Sequence, residues 1–245
     1  MSTDQQEQTI RLNKYIAHAG ICSRRKADDL IKNGEVTVNS DVVTEPGHRV
    51  KEDDVVKYNG TLVKPENNMY ILLNKPKNFI TTTDDERGRK TVMDLISKAT
   101  KGRRVYPVGR LDRNTTGLLF FTNDGDLAQK LAHPSGEIRK LYEVTLDKEL
   151  SEDHFQLIKS SSVELEEGNV LVDEIARPDA DNHNIVGLLI HIGWNRVVRR
   201  TFESLGYEVK KLDRVMYAGL TKKNLPRGKW RYLSADEVRN LKHFA

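Results

Sequence analysis

Apolar residues along this chain recur first at helical spacing and then at strand spacing. Leu12, Ile16 and Ala19 form a short helical stripe ended by Gly20, and Ser23 caps a second helix whose Ala27, Leu30 and Ile31 face a core. Asp28 and Lys32 make a favourable i,i+4 pair on that helix, and Asn33-Gly34 supplies its stop. Val36 to Asn39 and Val42-Val43 then read as strands around a Ser40-Asp41 turn, and Val50 to Tyr58 as a further strand pair with acidic residues between. Residues 10–60 therefore predict a small module of helices followed by strands. The turn-rich polar stretch 61–68 reads as a linker, and residues 1–9 as a disordered tail.

From Tyr70 the pattern changes to buried strands interleaved with short helices. Ile71-Leu72-Leu73 is a buried strand ended by Asn74-Lys75-Pro76, a helix begins over Val92 to Ile96, and Val105 to Val108 leads into a glycine-flanked loop. Leu118 to Phe121 reads as a strand buried on both faces, held between Gly117 and the turn Asn123-Asp124-Gly125. A helix over Asp126 to His133 stops before Pro134. Further strands are expected at Tyr142 to Leu146, Val170 to Ile175 and Val186 to Ile192, with a helix from Arg196 to Leu205 ended by Gly206. Residues 69–245 thus predict a mixed-sheet domain, and the whole chain belongs to the α+β class. There is no internal repeat.

Composition narrows the function. A hydrophobic fraction of 37% permits a real core. The net charge is only +4, but the isoelectric point near 9.0 and the clustering of the cations point to an acidic partner, with nucleic acid foremost. The single cysteine, Cys22, excludes an internal disulfide and suits a reducing cytosol. No stretch approaches the ~20 apolar residues of a membrane span, and residues 1–8 lack an apolar signal core, so a cytoplasmic location is expected. Gly-Lys occurs only at Gly228-Lys229, without a P-loop around it, and no dinucleotide fingerprint is present. The histidines show no ligand spacing. Neither a metal nor a cofactor is expected.

Four constellations carry candidate chemistry. In Gly109-Arg110-Leu111-Asp112-Arg113-Asn114-Thr115-Thr116-Gly117 one carboxylate lies between two guanidiniums that favour its ionised form, with the Thr115 and Thr116 hydroxyls as potential donors. Such an aspartate suits a nucleophile or an anionic base better than a general acid, although this segment alone favours a structural salt bridge. Arg24, Arg25 and Lys26 crowd a first helical turn, where the macrodipole disfavours cations. With the Ser23 cap, Arg11 and Lys14 they make either a phosphate site or a solvated basic face. Arg196, Arg199 and Arg200 form a cationic ridge on a helix that buries Val198, Phe202 and Leu205. Tyr142 shares a strand face with Val144 and Leu146, which by alternation alone reads as a packed core tyrosine.

Two resemblances organise these parts. Arg11 to Ala17 with Gly20, Ser23 to Ala27, Leu30-Ile31, Gly34-Glu35-Val36 and Val38-Asn39 resemble the small RNA-binding domain first known from the small-subunit ribosomal protein S-four. The rest is similar to bacterial ribosomal RNA pseudouridine synthases of the RsuA/RluB type. The likeness is carried in order by Tyr70 to Pro76, Gly109 to Leu119, Asn123 to Leu127, His133-Pro134, Lys140-x-Tyr142 and Asn195 to Arg200. The resemblance implies that Asp112 is catalytic, that Tyr142 stacks near the target base, and that Arg199 pairs with the aspartate. Arg11, Lys14, Ser23, Arg24, Arg25, Lys26, Arg110, Arg113, Arg196 and Arg200 become the expected RNA contacts. The implied partner is ribosomal RNA, 23S ahead of 16S, free or within pre-ribosomal particles, bound by a monomer that needs no cofactor. Ile192, Val197 and Thr201 depart from the family pattern in the late motif, which bears on substrate contacts. A non-catalytic RNA-binding protein of the same fold is the rival. A glycosidase lacks a partner carboxylate.

Overall fold

A computed structural model describes residues 9–133, 137–179 and 181–244. Of the expected tail over 1–9, residues 1–8 lie outside the described residues, as does the helix-stopping Pro134, while Thr9 is held by Arg49, which donates to its hydroxyl and its carbonyl. Contacts divide the chain into two units, one of residues up to Asn68 with Gly102–Arg104, the other of Met69–Lys101 with residues from Val105 onward.

The first unit runs β1 (Ile10–Arg11), α1 (Leu12–His18), α2 (Arg24–Lys32), β2 (Val36–Val38), β3 (Asp41–Val42), β4 (Arg49–Val50), β5 (Val56–Tyr58) and β6 (Thr61–Leu62). Its core joins Leu12, Ile16, Ala27 and Ile31 from the helices to Val36, Val50 and Val56 from the strands, each fully buried. The Ser23 hydroxyl caps α2 by accepting from the Lys26 N–H. Three local expectations are corrected here. The tight turn lies at Asn39-Ser40, both with positive φ (51° and 80°), so Asp41 already belongs to β3. The strands β4 and β5 do not pair with each other: β4 pairs with β1, and β5 with β2 and β6. The stretch expected as a linker starts in β6, buries Val63 and lets the Glu66 N–H donate to the His18 carbonyl. Short edge strands carry almost no periodicity, which is why their partners were illegible.

The second unit continues with β7 (Tyr70–Lys75), α3 (Val92–Thr100), β8 (Tyr106–Val108), β9 (Thr116–Thr122), α4 (Gly125–Ala132), β10 (Lys140–Leu146) and α5 (Glu152–Lys159). There follow β11 (Glu164–Leu165), β12 (Gly168–Asn169), β13 (Glu174–Ala176), β14 (Ile185–Ile190) and α6 (Val197–Ser204). The chain closes with β15 (Val209–Tyr217), β16 (Leu220–Thr221), β17 (Trp230–Tyr232) and α7 (Ala235–Phe244). The main sheet has the order β13-β14-β10-β15-β9-β7-β17, antiparallel except for the parallel pair β15–β9. It is therefore mixed, as expected. The span expected as one strand from Val170 to Ile175 is strand only at its end, in β13, which pairs with β14, while β12 just before it closes a hairpin with β11.

Alternation explains the layering. On β9, Leu118 and Phe120 enter one cluster with Leu127 and Leu131 of α4, whereas Leu119 and Phe121 enter another with Val92 and Ile96 of α3. Sandwiched between helices, this strand reads as the continuous apolar run the sequence displays. At the far end, Val144 and Leu146 of β10, Val186 and Leu188 of β14 and Phe202 of α6 build a third cluster.

Candidate active site

Asp112 lies in the loop between β8 and β9, and the loop is held from beneath. Lys75, the last residue of β7, is 0% exposed and donates through Nζ to the carbonyls of Thr115 (2.8 Å), Asp112 (3.0 Å), Pro76 (3.2 Å) and Arg113 (3.3 Å). Burial pushes its pKa down to about 8, against the pull of the Asp112 carboxylate. The Thr81 hydroxyl adds a second tie, donating to the Leu111 carbonyl at 2.7 Å and accepting from its N–H at 3.2 Å. Gly117 closes the loop at φ +109°, where a Cβ would stand 2.3 Å from the Arg214 carbonyl oxygen, so only glycine permits the parallel pairing of β9 with β15. The sequence marked Lys75-Pro76 only as a strand end. Its role was missed because the contacts are to backbone atoms nearly 40 positions away.

The Asp112 carboxylate is half exposed and takes an ion pair from Arg196 Nη1 at 3.4 Å. This corrects two expectations. Arg110 and Arg113, which flank it in sequence, are exposed, and the ion pair goes to Arg196 instead. The threonines do not reach it either: Thr116 Oγ1 donates toward Leu212 O (3.2 Å) and Asp213 Oδ1 (3.0 Å), while buried Thr115 Oγ1 has no partner among the described residues.

A cavity of about 310 Å³ opens at the carboxylate. Tyr142, Leu212 and Arg214 line it from the sheet, Arg110 and Leu111 from the Asp112 loop, and Arg196 from the start of α6. Tyr142 lies opposite Leu188 of β14 and Arg214 of β15, half buried between two apolar clusters while still lining the cavity. The expected packing against Val144 and its neighbours is therefore partial, and one side of the residue faces the cavity. Arg214 was given no role from the sequence, yet it is the most deeply buried of the cations lining the cavity. It is 3% exposed, donates Nε to the Leu118 carbonyl at 2.8 Å and lies 4.7 Å from the Tyr217 ring, leaving Nη2 without a partner among the described residues. The available signal was a charged pair, Asp213-Arg214, set between Leu212 and the apolar Val215-Met216. Lys140, two positions before Tyr142 and on the same strand face, also lines the cavity, and burial pushes its pKa down to about 8.

The expected ridge of α6 is dispersed. Arg196 is its N-cap, in left-handed conformation, and turns to Asp112. Arg199 does not pair with that aspartate: a turn further on, it points at β15 and donates to the Val209 carbonyl at 2.9 Å. Burial and the nearby Arg196 lower its pKa, and Asp112 pulls it back up, so the two groups sense each other through space. Arg200 forms an ion pair with Glu167 beside the β11–β12 hairpin. In the first unit, Arg11, Arg24, Arg25 and Lys26 are exposed and Lys14 half buried, with no acidic residue in the first turn of α2. Among the described residues no cluster of three or more His, Cys, Asp or Glu could hold a metal, and no helix is long and apolar enough to cross a membrane.

The site is thus a carboxylate on a braced loop that opens onto a cavity lined by aromatic and cationic side chains. The RNA pseudouridylate synthase family model matches residues 69–204, and the S4 domain model matches residues 10–56. This chain belongs to the RNA pseudouridylate synthase family, with an S4 domain preceding the catalytic one. It is 43% identical over 238 residues to the ribosomal large subunit pseudouridine synthase B of Bacillus subtilis (strain 168), covering 96% of both chains. It is 38% identical to the dual-specificity RNA pseudouridine synthase RluF of Escherichia coli (strain K12), covering 96% of this chain and 79% of that one. A solved pseudouridylate synthase superposes with a TM-score of 0.67 at 26% identity, over 95% of this chain and 99% of the other.

Proposed function

We propose that this enzyme isomerises a uridine of 23S ribosomal RNA to pseudouridine, with Asp112 as its catalytic residue. The reaction breaks the bond from ribose C1′ to uracil N1, turns the base and joins C1′ to C5. N1 gains a proton and C5 loses one, so nothing is oxidised and no group leaves. Asp112 starts the glycosidic step, either by attack on the sugar or by proton removal. Tyr142 stacks on the flipped uracil. Arg199 is a positioning residue that ties α6 to β15 and tempers the field at Asp112, and buried Arg214 offers its Nη2 to the base or the carboxylate. The Ser23-capped turn Arg24-Arg25-Lys26, with Arg11 and Lys14, grips phosphates, and Arg110, Arg113, Arg196 and Arg200 add cations in the second unit. The reading takes a monomer acting on ribosomal RNA or on a pre-ribosomal particle.

The observation that carries the proposal is the Asp112 carboxylate at the mouth of a cavity walled by Tyr142 and Arg214. The preference for 23S rests on the likeness to the large-subunit synthase, which exceeds that to the dual-specificity enzyme. The test is tritium release from transcripts of 23S and 16S RNA labelled at uracil C5. Wild type should release tritium from 23S RNA, and Asp112→Asn should bind that RNA while releasing none. Turnover by Asp112→Asn would refute the assignment of the catalyst, release of free uracil would mean hydrolysis, and activity on 16S alone would move the target to the small subunit.

A further inference from the structure

Between the end of β14 at Ile190 and the start of α6 at Val197, residues 191–196 cross the cavity wall with no strand or helix bonding of their own. They are nevertheless pinned. Lys140 Nζ donates to the His191 carbonyl at 2.6 Å and lies 3.5 Å from that of Ile192, and the His191 Nδ1 pairs with Asp173 at 2.8 Å. At the other end Arg196 holds Asp112. A segment fixed at both ends presents its middle in one orientation, and the middle is Trp194. Its ring packs partly on the apolar cluster of β10, β14 and α6, and it lines the cavity. Among the described residues no other aromatic ring stacks on it.

We propose that Trp194 is a stacking platform for a nucleobase flanking the target uridine. An indole with one side packed and the other open, set among cations, is the arrangement that holds an unpaired base. Such stacking tolerates any base but favours purines, whose ring surface is larger. The occupant is a neighbour rather than the target, because Asp112 and Tyr142 already define where the reacting uridine sits. The inference rests on the pseudouridine reading above and adds a determinant of sequence context to it.

The experiment compares Trp194→Phe, Trp194→Leu and Trp194→Ala with wild type in binding to, and turnover of, a 23S transcript, with Trp230 emission checking that each variant is folded. The Ala and Leu variants should bind about 10- to 100-fold more weakly and raise KM alike, with kcat within about threefold, while Phe stays near wild type. Leu performing as well as Phe would reduce Trp194 to packing and overturn the proposal, as would a loss of kcat at unchanged KM. A wild type that binds the transcript but forms no pseudouridine would overturn the catalytic reading alone, and the binding ratios would still decide the role of Trp194.

Discussion

Lys75→Met tests whether the cradle beneath the Asp112 loop is structural or chemical. Methionine keeps the length and the apolar stem while removing every donor. Of the four carbonyls that Lys75 serves, two retain other partners: Asp112 O accepts the Thr115 N–H and Arg113 O accepts the Asn78 N–H. Thr115 O and Pro76 O lose their donor, and the Thr115 bond is the fully buried one. Stranding a buried carbonyl costs about 1–3 kcal/mol. Relief of the ammonium's desolvation offsets part of this, so the net loss at pH 7 should be about 2 kcal/mol, or about 5 °C in Tm for a unit of this size. Both tryptophans, Trp194 and Trp230, belong to the second unit, so intrinsic emission during urea or thermal unfolding reads it directly. With Thr81 still gripping Leu111, kcat well below Tm should fall less than about tenfold. The pH dependence gives a second reading. Because the folded-state pKa drops from 10.5 to about 8, the unfolded chain binds more protons between those values, and wild-type stability should rise across that window by up to about 3 kcal/mol. The methionine variant lacks this rise, so the gap between the two proteins should widen from pH 8 to pH 10. A variant as stable as wild type at pH 7, or a gap that narrows with pH, would refute the reasoning.

Gly117→Ala should lose more than about 3 kcal/mol, visible as rapid proteolysis, since the new methyl group meets the Arg214 backbone at 2.3 Å; a normally stable variant would mean that β9 and β15 can part there. Arg196→Ala should change stability by less than about 1 kcal/mol in urea, because its ion pair with Asp112 is half exposed on both sides, while weakening RNA binding and lowering its salt slope by about one. Asp213→Asn should cost about 1–3 kcal/mol, leaving Arg227 and Lys222 without their shared carboxylate. Burial alone would raise the pKa of Asp213, but those two cations outweigh it and lower it. Its contribution should therefore persist above the ordinary carboxylate range and vanish only as pH falls below it, measured as the wild-type minus variant difference in acid unfolding.

Much of the catalytic framework was legible because it is local. Leu118 to Phe121 announces a strand covered on both faces, Ser23 announces a helix start, and the glycine-bounded Asp112 loop announces a rigid mount for a carboxylate; each depends on residues within a few positions of one another. What lies across the sheet was not legible. Val209 to Tyr217 carries too mixed a pattern to declare itself, since Asp213 and Arg214 interrupt its apolar run, yet it runs beside β9 at the centre of the sheet. Its placement there brings Arg214 to the cavity. In the same way Arg110 and Arg113 flank Asp112 in sequence, but Arg196 reaches it, and Arg199 turns to Val209 instead. Local pattern determines which segments bury and which residue types cluster, because propensity and periodicity act over one or two turns. Which cation meets which carboxylate is decided by strand order and helix rotation, and those minimise free energy over the whole second unit rather than over any stretch of chain.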